Sequence, residues 1–315
     1  MVTTVNQKML DITSDDQKYL TSEGAFSFRN KIVNGSMMIN QRGYAGSINA
    51  YLADLWVIDT DTTGGTYESG QGTFPLGQEL EECANYVYMT RTAASSGGSW
   101  TSLGTWVEDV RTFAGKTVTL SFWAKSVYKT NVTVGIFQRF GSGGSAEVSH
   151  VLDKLPVSDQ WTKYTFTTQL TSVAGKTIGT NNQLLIAFSF PLNATFDFQI
   201  TAIQLEEGSV ATPFEVRPIS IEQTLCERYL QIHALTARQQ SYGPFAPLFR
   251  PIVLPNLMYT TPTVGLWSAG SLGNTSSRAL YMSSANSGRF GQFSAATGDS
   301  YVLYDYWWFQ AYMGT

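Results

Sequence analysis

The sequence predicts an all-β protein: an antiparallel jelly-roll β-sandwich, then one helix, then a small C-terminal β unit. Three observations predict it. Segments that alternate apolar and polar residues recur from Asn30 to about Arg217, separated by clusters of Gly, Ser, Asn and Thr. A run at helical spacing, Ile221, Leu225, Tyr229 and Ile232, follows only after them. The 315 residues include 30 Ser, 36 Thr and 28 Gly but only 14% charged residues, so solubility comes from hydroxyls and turns.

Residues 1 to 29 are polar and weakly patterned, and read as an arm that orders on a partner. Strands are then expected at Lys31–Ile39, Leu52–Thr60, Tyr86–Thr92, Thr117–Lys125, Asn131–Arg139, Trp161–Thr167, Leu184–Phe190 and Phe196–Ala202. Thr117–Lys125 is the clearest. Val118, Leu120, Phe122 and Ala124 take one face, and Thr119, Ser121, Trp123 and Lys125 the other. About eight such strands without long helices between them make a sandwich, here residues 30–217.

Arg217-Pro218 closes that unit, and residues 218–240 read as helix and linker. Ser220 with Gln223 has the form of a capping box. A helix of about 15 residues is marginal alone and must pack on something. Residues 241–315 carry 15 aromatics but five charges, with strands expected at Pro262–Trp267, Arg278–Met282 and Tyr301–Phe309. A β unit so poor in charge exposes apolar surface as a monomer, and symmetric self-association is the simplest remedy.

Several classes of chemistry are disfavoured. A net charge of −4 lacks the basic stripe that nucleic acid requires. The longest apolar run, Leu184–Phe188, is too short for a membrane span, and no secretory signal is expected at the N-terminus. The two cysteines, Cys83 and Cys226, are expected as free thiols, and with two histidines they cannot build a structural zinc site. Gly-Lys-Thr occurs at Gly115–Thr117 and Gly175–Thr177, but Val110 and Leu170 stand where a phosphate loop needs glycine.

One set of motifs resembles a known family. The stretch Asn30-Lys31-Ile32-Val33-Asn34-Gly35-Ser36, with Ile39-Asn40-Gln41-Arg42-Gly43 and Ala53-Asp54-Leu55-Trp56, is similar to the opening of a bacteriophage and prophage tail-fibre family. Trp106 to Lys125 continues the resemblance. Its most specific piece is Ile203-Gln204-Leu205-Glu206-Glu207-Gly208-Ser209 with Ala211-Thr212-Pro213-Phe214-Glu215-Val216-Arg217-Pro218, running on to Leu225-Cys226-Glu227-Arg228-Tyr229. The resemblance, over residues 30 to 232, implies a carbohydrate-binding-module-like jelly roll in a homotrimeric virion appendage. It further implies binding of host surface polysaccharide during adsorption, without enzymatic activity. Residues 1–29 would fasten the chain to a tail or capsid protein, and residues 241–315 would form the distal tip. The alternative is a structural or adaptor protein of tail or head; a polysaccharide-degrading spike is a more distant one. Some related jelly rolls hold a structural calcium through an Asp in the final strand. Ile200-Thr201-Ala202-Ile203 offers none, so neither a metal nor another cofactor is expected.

Saccharides are gripped by flat aromatic faces with amides, hydroxyls and Arg beside them. Alternation puts Trp123, Phe137 and Arg139 opposite the core, where neighbouring strands would make one aromatic-plus-Arg patch. The competing reading is burial of that patch against the helix, the terminal unit or another protomer. Tyr86 and Tyr88 share a face but also suit a core. Trp100 and Trp106, flanked by Gly and Ser, suit either a loop cleft or core anchors. Trp307 and Trp308 lie in a run of rings too long for one strand face, which suits a symmetry axis or a receptor. The acidic clusters Asp59/Asp61, Glu79/Glu81/Glu82 and Glu206/Glu207 are the candidates for paired-carboxylate hydrolysis.

Overall fold

Alternation became a two-layer sandwich with its apolar residues turned inward. The computed structural model of the chain describes residues 28–43, 50–241, 247–268, 271–273, 275–294 and 298–311. Eleven strands form the sandwich: β1 (Ala50–Ala53), β2 (Trp56–Thr60), β3 (Thr66–Thr73), β4 (Asn85–Ala93), β5 (Thr101–Glu108), β6 (Thr117–Lys125), β7 (Asn131–Arg139), β8 (Val148–Pro156), β9 (Thr162–Gln169), β10 (Gln183–Ser189) and β11 (Phe196–Glu207). One sheet has the order β1-β2-β5-β10-β7-β8, the other β3-β4-β11-β6-β9, and every pairing is antiparallel. From β4 to β11 the chain changes sheet at every step but the β7–β8 hairpin.

The inward faces share one core. Val118, Leu120, Phe122 and Ala124 meet Val132, Val134, Ile136, Ile186 and Phe188 there, all of them buried. Phe122 stands edge-on to Phe188 at 4.9 Å, and Phe190 stacks on Phe196 at 4.5 Å. Such ring pairs add about 0.5–1.5 kcal/mol each beyond the area they bury.

Three strands escaped the alternation rule. β3 carries two glycines, β5 has a glycine at its centre, and β8 lies at an edge with little buried surface. Two expected strands also differ. Leu52–Thr60 is a hairpin of β1 and β2, reversed at Leu55, whose φ is +70°. Lys31–Ile39 is not a strand among the described residues, because Asn34 and Met37 have positive φ and the segment turns there.

The buried side chain of Asn34 replaces a sheet ladder. Its Nδ2 donates to the carbonyls of Ile39 and Asp54, and its Oδ1 accepts from the Ile39 amide. Trp56 Nε1 donates to the Asn34 carbonyl. Asn30 acts similarly, donating to the Ile203 carbonyl and accepting from the Ile32 and Leu205 amides. Arg217 then ties the far end in. It donates to the carbonyls of Asn30 and Ile32 and pairs with Glu222 at 3.2 Å. The motif stretches at residues 30–43 and 203–218 therefore form one hydrogen-bonded knot.

Helix α1 (Ile219–Glu227) is shorter than its sequence pattern and turned the other way. Pro218 occupies the N-cap and no side chain caps the helix, so the Ser220–Gln223 box is not made. Glu222 and Cys226 face inward, while Ile219 and Ile221 are exposed. The reason lies in the knot: Arg217 and the amide of Asn34 both bind the Glu222 carboxylate, which draws that face of the helix in. Ile232 belongs to a strand rather than to the helix.

The remaining strands are β12 (Leu230–Ser241), β13 (Pro247–Val253), β14 (Thr263–Ser268), β15 (Ser271–Gly273), β16 (Thr275–Met282), β17 (Ser287–Ser294) and β18 (Gly298–Gln310). β12-β18-β14 forms one sheet, with β15 also on β18, and β13-β17-β16 forms another. Leu254, Met258, Leu280, Phe290, Trp307 and Phe309 are their common core. Glu108 links this unit to the sandwich, accepting from Arg228 Nη2 at 2.9 Å, from Arg228 Nε and from the Tyr229 hydroxyl. Residues 1–27 lie outside the described residues. Arg29, at the end of the expected arm, donates to the Pro213 carbonyl.

Candidate functional site

The expected patch of Trp123, Phe137 and Arg139 does not exist, because its members sit on different sheets. Trp123 is on β6 in the five-stranded sheet; Phe137 and Arg139 are on β7 in the six-stranded one. Both sets point away from the common core, so they occupy opposite exteriors of the sandwich. Parity within a strand assigned each face correctly, but it carries no information on which strands pair.

On the six-stranded exterior, Phe137 folds over Gly135 and is in register with Leu185, which is in register with Trp106. Arg139 is bound to Glu147 at 2.8 Å. Trp106 packs toward Ile39, Leu55, Cys226 and Tyr229 at the junction, and lines a small hollow there with Arg42 and Tyr51. The row Asp59–Ser102–Ser189–Thr133 on this face carries small polar groups and no ring.

The five-stranded exterior is different. Register sets Gly72 beside Tyr86 and Gly70 beside Tyr88, and a methyl group on either glycine would press into the neighbouring ring. Both tyrosines therefore lie flat over the glycines of β3. The next positions continue in rows. Tyr88 is opposite Gln199, which is opposite Lys125; Thr201 is opposite Trp123, which is opposite Lys163. Phe74, Tyr86 and Trp161 form a ring cluster with centroids 5.0 to 5.5 Å apart.

The β3–β4 loop roofs the Trp123 row. Glu81 accepts from Trp123 Nε1 at 3.0 Å, from Lys163 Nζ at 2.6 Å and from the Phe214 amide at 2.6 Å. Burial by itself would raise the Glu81 pKa, but these three donors outweigh it and hold the carboxyl below its usual range. Trp123 is thus a structural partner of Glu81, and the burial reading is the better one for it.

The adjacent row is open. Tyr88, Gln199 and Lys125 are half-buried, and none of their polar heads has a hydrogen-bond partner among the described residues. Strand neighbours lie about 4.8 Å apart, so the three heads make a flat shelf one short saccharide long. The wall beside it is the Tyr86–Trp161 pair. Rings, an amide and an ammonium group are the groups that grip a sugar's C–H face and its hydroxyls. Gln199, Lys125 and Trp161 were not foreseen as site residues. Their signal was outward parity alone.

The other expected residues fall elsewhere. Trp100 is half-exposed in the β4–β5 loop, where the amides of Ser99 and Trp100 bind Asp61 and hold its carboxyl below the usual range. Trp307 is buried edge-on to Phe290, so it is a core residue and not a presented ring. The side chain of Trp308 lies outside the described residues. The final strand does hold an aspartate, Asp197, three places before the stretch that lacks one. Its carboxylate accepts from the Ser126 hydroxyl and from the Val127 and Tyr128 amides, and so clamps the β6–β7 turn. No grouping of His, Cys, Asp and Glu suited to a metal occurs among the described residues.

No family model matches the sequence, and no curated protein matches it. Solved structures are similar in fold. One is the enzymatically active domain of tailspike protein 4 of bacteriophage CBA120, with 14% identity and a TM-score of 0.38; the match covers 57% of this chain and 22% of that one. Another is a xylan-binding domain from Paenibacillus barcinonensis, with 15% identity and a TM-score of 0.33 over 55% of this chain and 98% of that one. A third is a cyclase from Fischerella sp. TAU in complex with 4-(1H-indol-3-yl)butan-2-one, with 12% identity and a TM-score of 0.39 over 57% and 96%.

Proposed function

We propose that this chain binds a glycan on the exterior of its five-stranded sheet, and does so without covalent chemistry. The observation that carries the reading is the row Tyr88–Gln199–Lys125, a ring and two donors without partners beside the Tyr86–Trp161 pair. These heads reach the surface, where the hydroxyls of a bound saccharide replace water as their partners. The tail-fibre resemblance of residues 30–232 supplies the setting: a virion protein, homotrimeric, that adsorbs to host surface polysaccharide and is attached through residues 1–29.

Occupation of four of the seven candidate carboxylates supports binding over hydrolysis. Asp61 holds the Ser99–Trp100 turn, Glu81 holds Trp123 and Lys163, Glu206 holds Thr212, and Glu207 pairs with Lys116 at 2.6 Å. Each has a structural partner in place of a substrate.

A glycan array probed with the full chain tests the reading. Binding is expected, and Tyr88→Ala is expected to weaken it by up to about tenfold, since ring contacts of this kind are worth roughly 0.5–1.5 kcal/mol. Circular dichroism melting of the variant should stay close to that of the parent. Absence of binding to arrays and to host cells would favour the adaptor role instead.

A further inference from the structure

We infer that the saccharide taken by this shelf is acidic, its carboxylate seated on Lys125; the inference rests on the glycan-binding reading above. The described lysines sort clearly by partner. Lys116 pairs with Glu207, Lys129 with Asp159 and Lys163 with Glu81, while Lys31 donates to the Phe28 carbonyl. Lys176 lies over the Phe140 ring, and Lys154 is exposed. Lys125 and Lys163 are the two that are half-buried. They flank Trp123 on the same exterior, one opposite Gln199 on β11 and the other on β9. Lys163 has its carboxylate in Glu81. Lys125 has none.

Half-burial fixes the stem of Lys125 on the sheet, and a cation held there makes its strongest hydrogen bonds to an anion. In a chain with net charge −4 the missing partner is not a matter of scarce carboxylates. The Glu81 loop reaches Lys163 and stops one row short of Lys125, which leaves an anion position beside Gln199 and Tyr88. The point of attachment is rigid. Immediately after Lys125 the chain enters the turn that Asp197 clamps, and Ser126 and Thr130 bond each other across it. That turn also holds Tyr128, with 61% of its surface in solvent. A neutral sugar offers Lys125 hydroxyl oxygens alone, whereas a uronate offers it a carboxylate and the stronger, charge-assisted hydrogen bond.

Titration calorimetry on the full chain with trigalacturonate and with galactotriose, its counterpart lacking the carboxylates, tests this. The acidic trisaccharide should bind at least about tenfold more tightly in low salt, and the advantage should shrink as salt is raised. Lys125→Met, which keeps the aliphatic stem, should abolish that preference and bring the two affinities together; Lys125→Arg should retain most of it. Equal affinity for both sugars, with Lys125→Met silent and Tyr88→Ala weakening both, overturns the acidic inference and leaves the glycan reading intact. Binding of neither sugar, in wild type or variants, overturns both.

Discussion

Gly35 lies against the backbone of Ile203, so close that a methyl group on its α-carbon would stand 2.2 Å from the Ile203 carbonyl oxygen. The two residues are also joined by the Ile203 amide, which donates to the Gly35 carbonyl at 3.0 Å. One belongs to the opening motif and the other to the closing motif of the sandwich, and backbone is what each meets. Gly35→Ala must therefore move main chain. It should lower stability by about 1–3 kcal/mol, read as a fall in denaturant midpoint with the slope preserved. An unchanged midpoint would mean that the knot is looser than described.

Glu81 makes the roof of the site depend on pH. Its folded pKa is depressed, so the stabilisation it supplies is fully present above its ordinary value of 4.5 and is lost as pH falls through the lower folded value. At pH 7, Glu81→Gln should melt below wild type. The gap should close as the pH drops below 4.5. A gap that persists unchanged into strong acid would show that charge is irrelevant to the Trp123–Lys163 contact.

Both thiols should be silent in the native protein. Cys83 and Cys226 are buried and unpaired. Burial pushes the Cys83 thiol up to about 12 and holds Cys226 well above its ordinary range, so neither forms the reactive thiolate at pH 8. Mass spectrometry after maleimide treatment should find no adduct on native chain and two after denaturation. Rapid native labelling would contradict the packing of α1 and of the β3–β4 loop.

The junction between sandwich and C-terminal unit should respond to Glu108. Removing it leaves Arg228 half-buried without its partner and the Tyr229 hydroxyl without its acceptor. Glu108→Ala should cost about 1–3 kcal/mol at this contact. It should expose the chain near residue 228 to limited proteolysis and split the calorimetric transition in two. A single, unshifted transition would show that the aromatic packing of Trp106 and Tyr229 alone holds the units together.

Much of this was legible in the amino acids by themselves. Thr117–Lys125 and Asn131–Arg139 are strands at the predicted limits, because period-two burial is a local property that each residue's polarity declares. The same parity put Trp123, Lys125, Phe137 and Arg139 outside. What it could not declare was partnership. Trp123 and Phe137 look like neighbours in sequence pattern and lie on opposite exteriors, since strand order is decided by non-local pairing. The helix shows the same limit: Ile221 and Leu225 promised an apolar inner face, yet Arg217 and Asn34 drew Glu222 inward instead. The sequence by itself determined the β-class and the faces of the strands. Only tertiary structure decided that Glu81 would roof Trp123 and leave Lys125 open, because a loop's reach across a sheet depends on where distant strands are laid down.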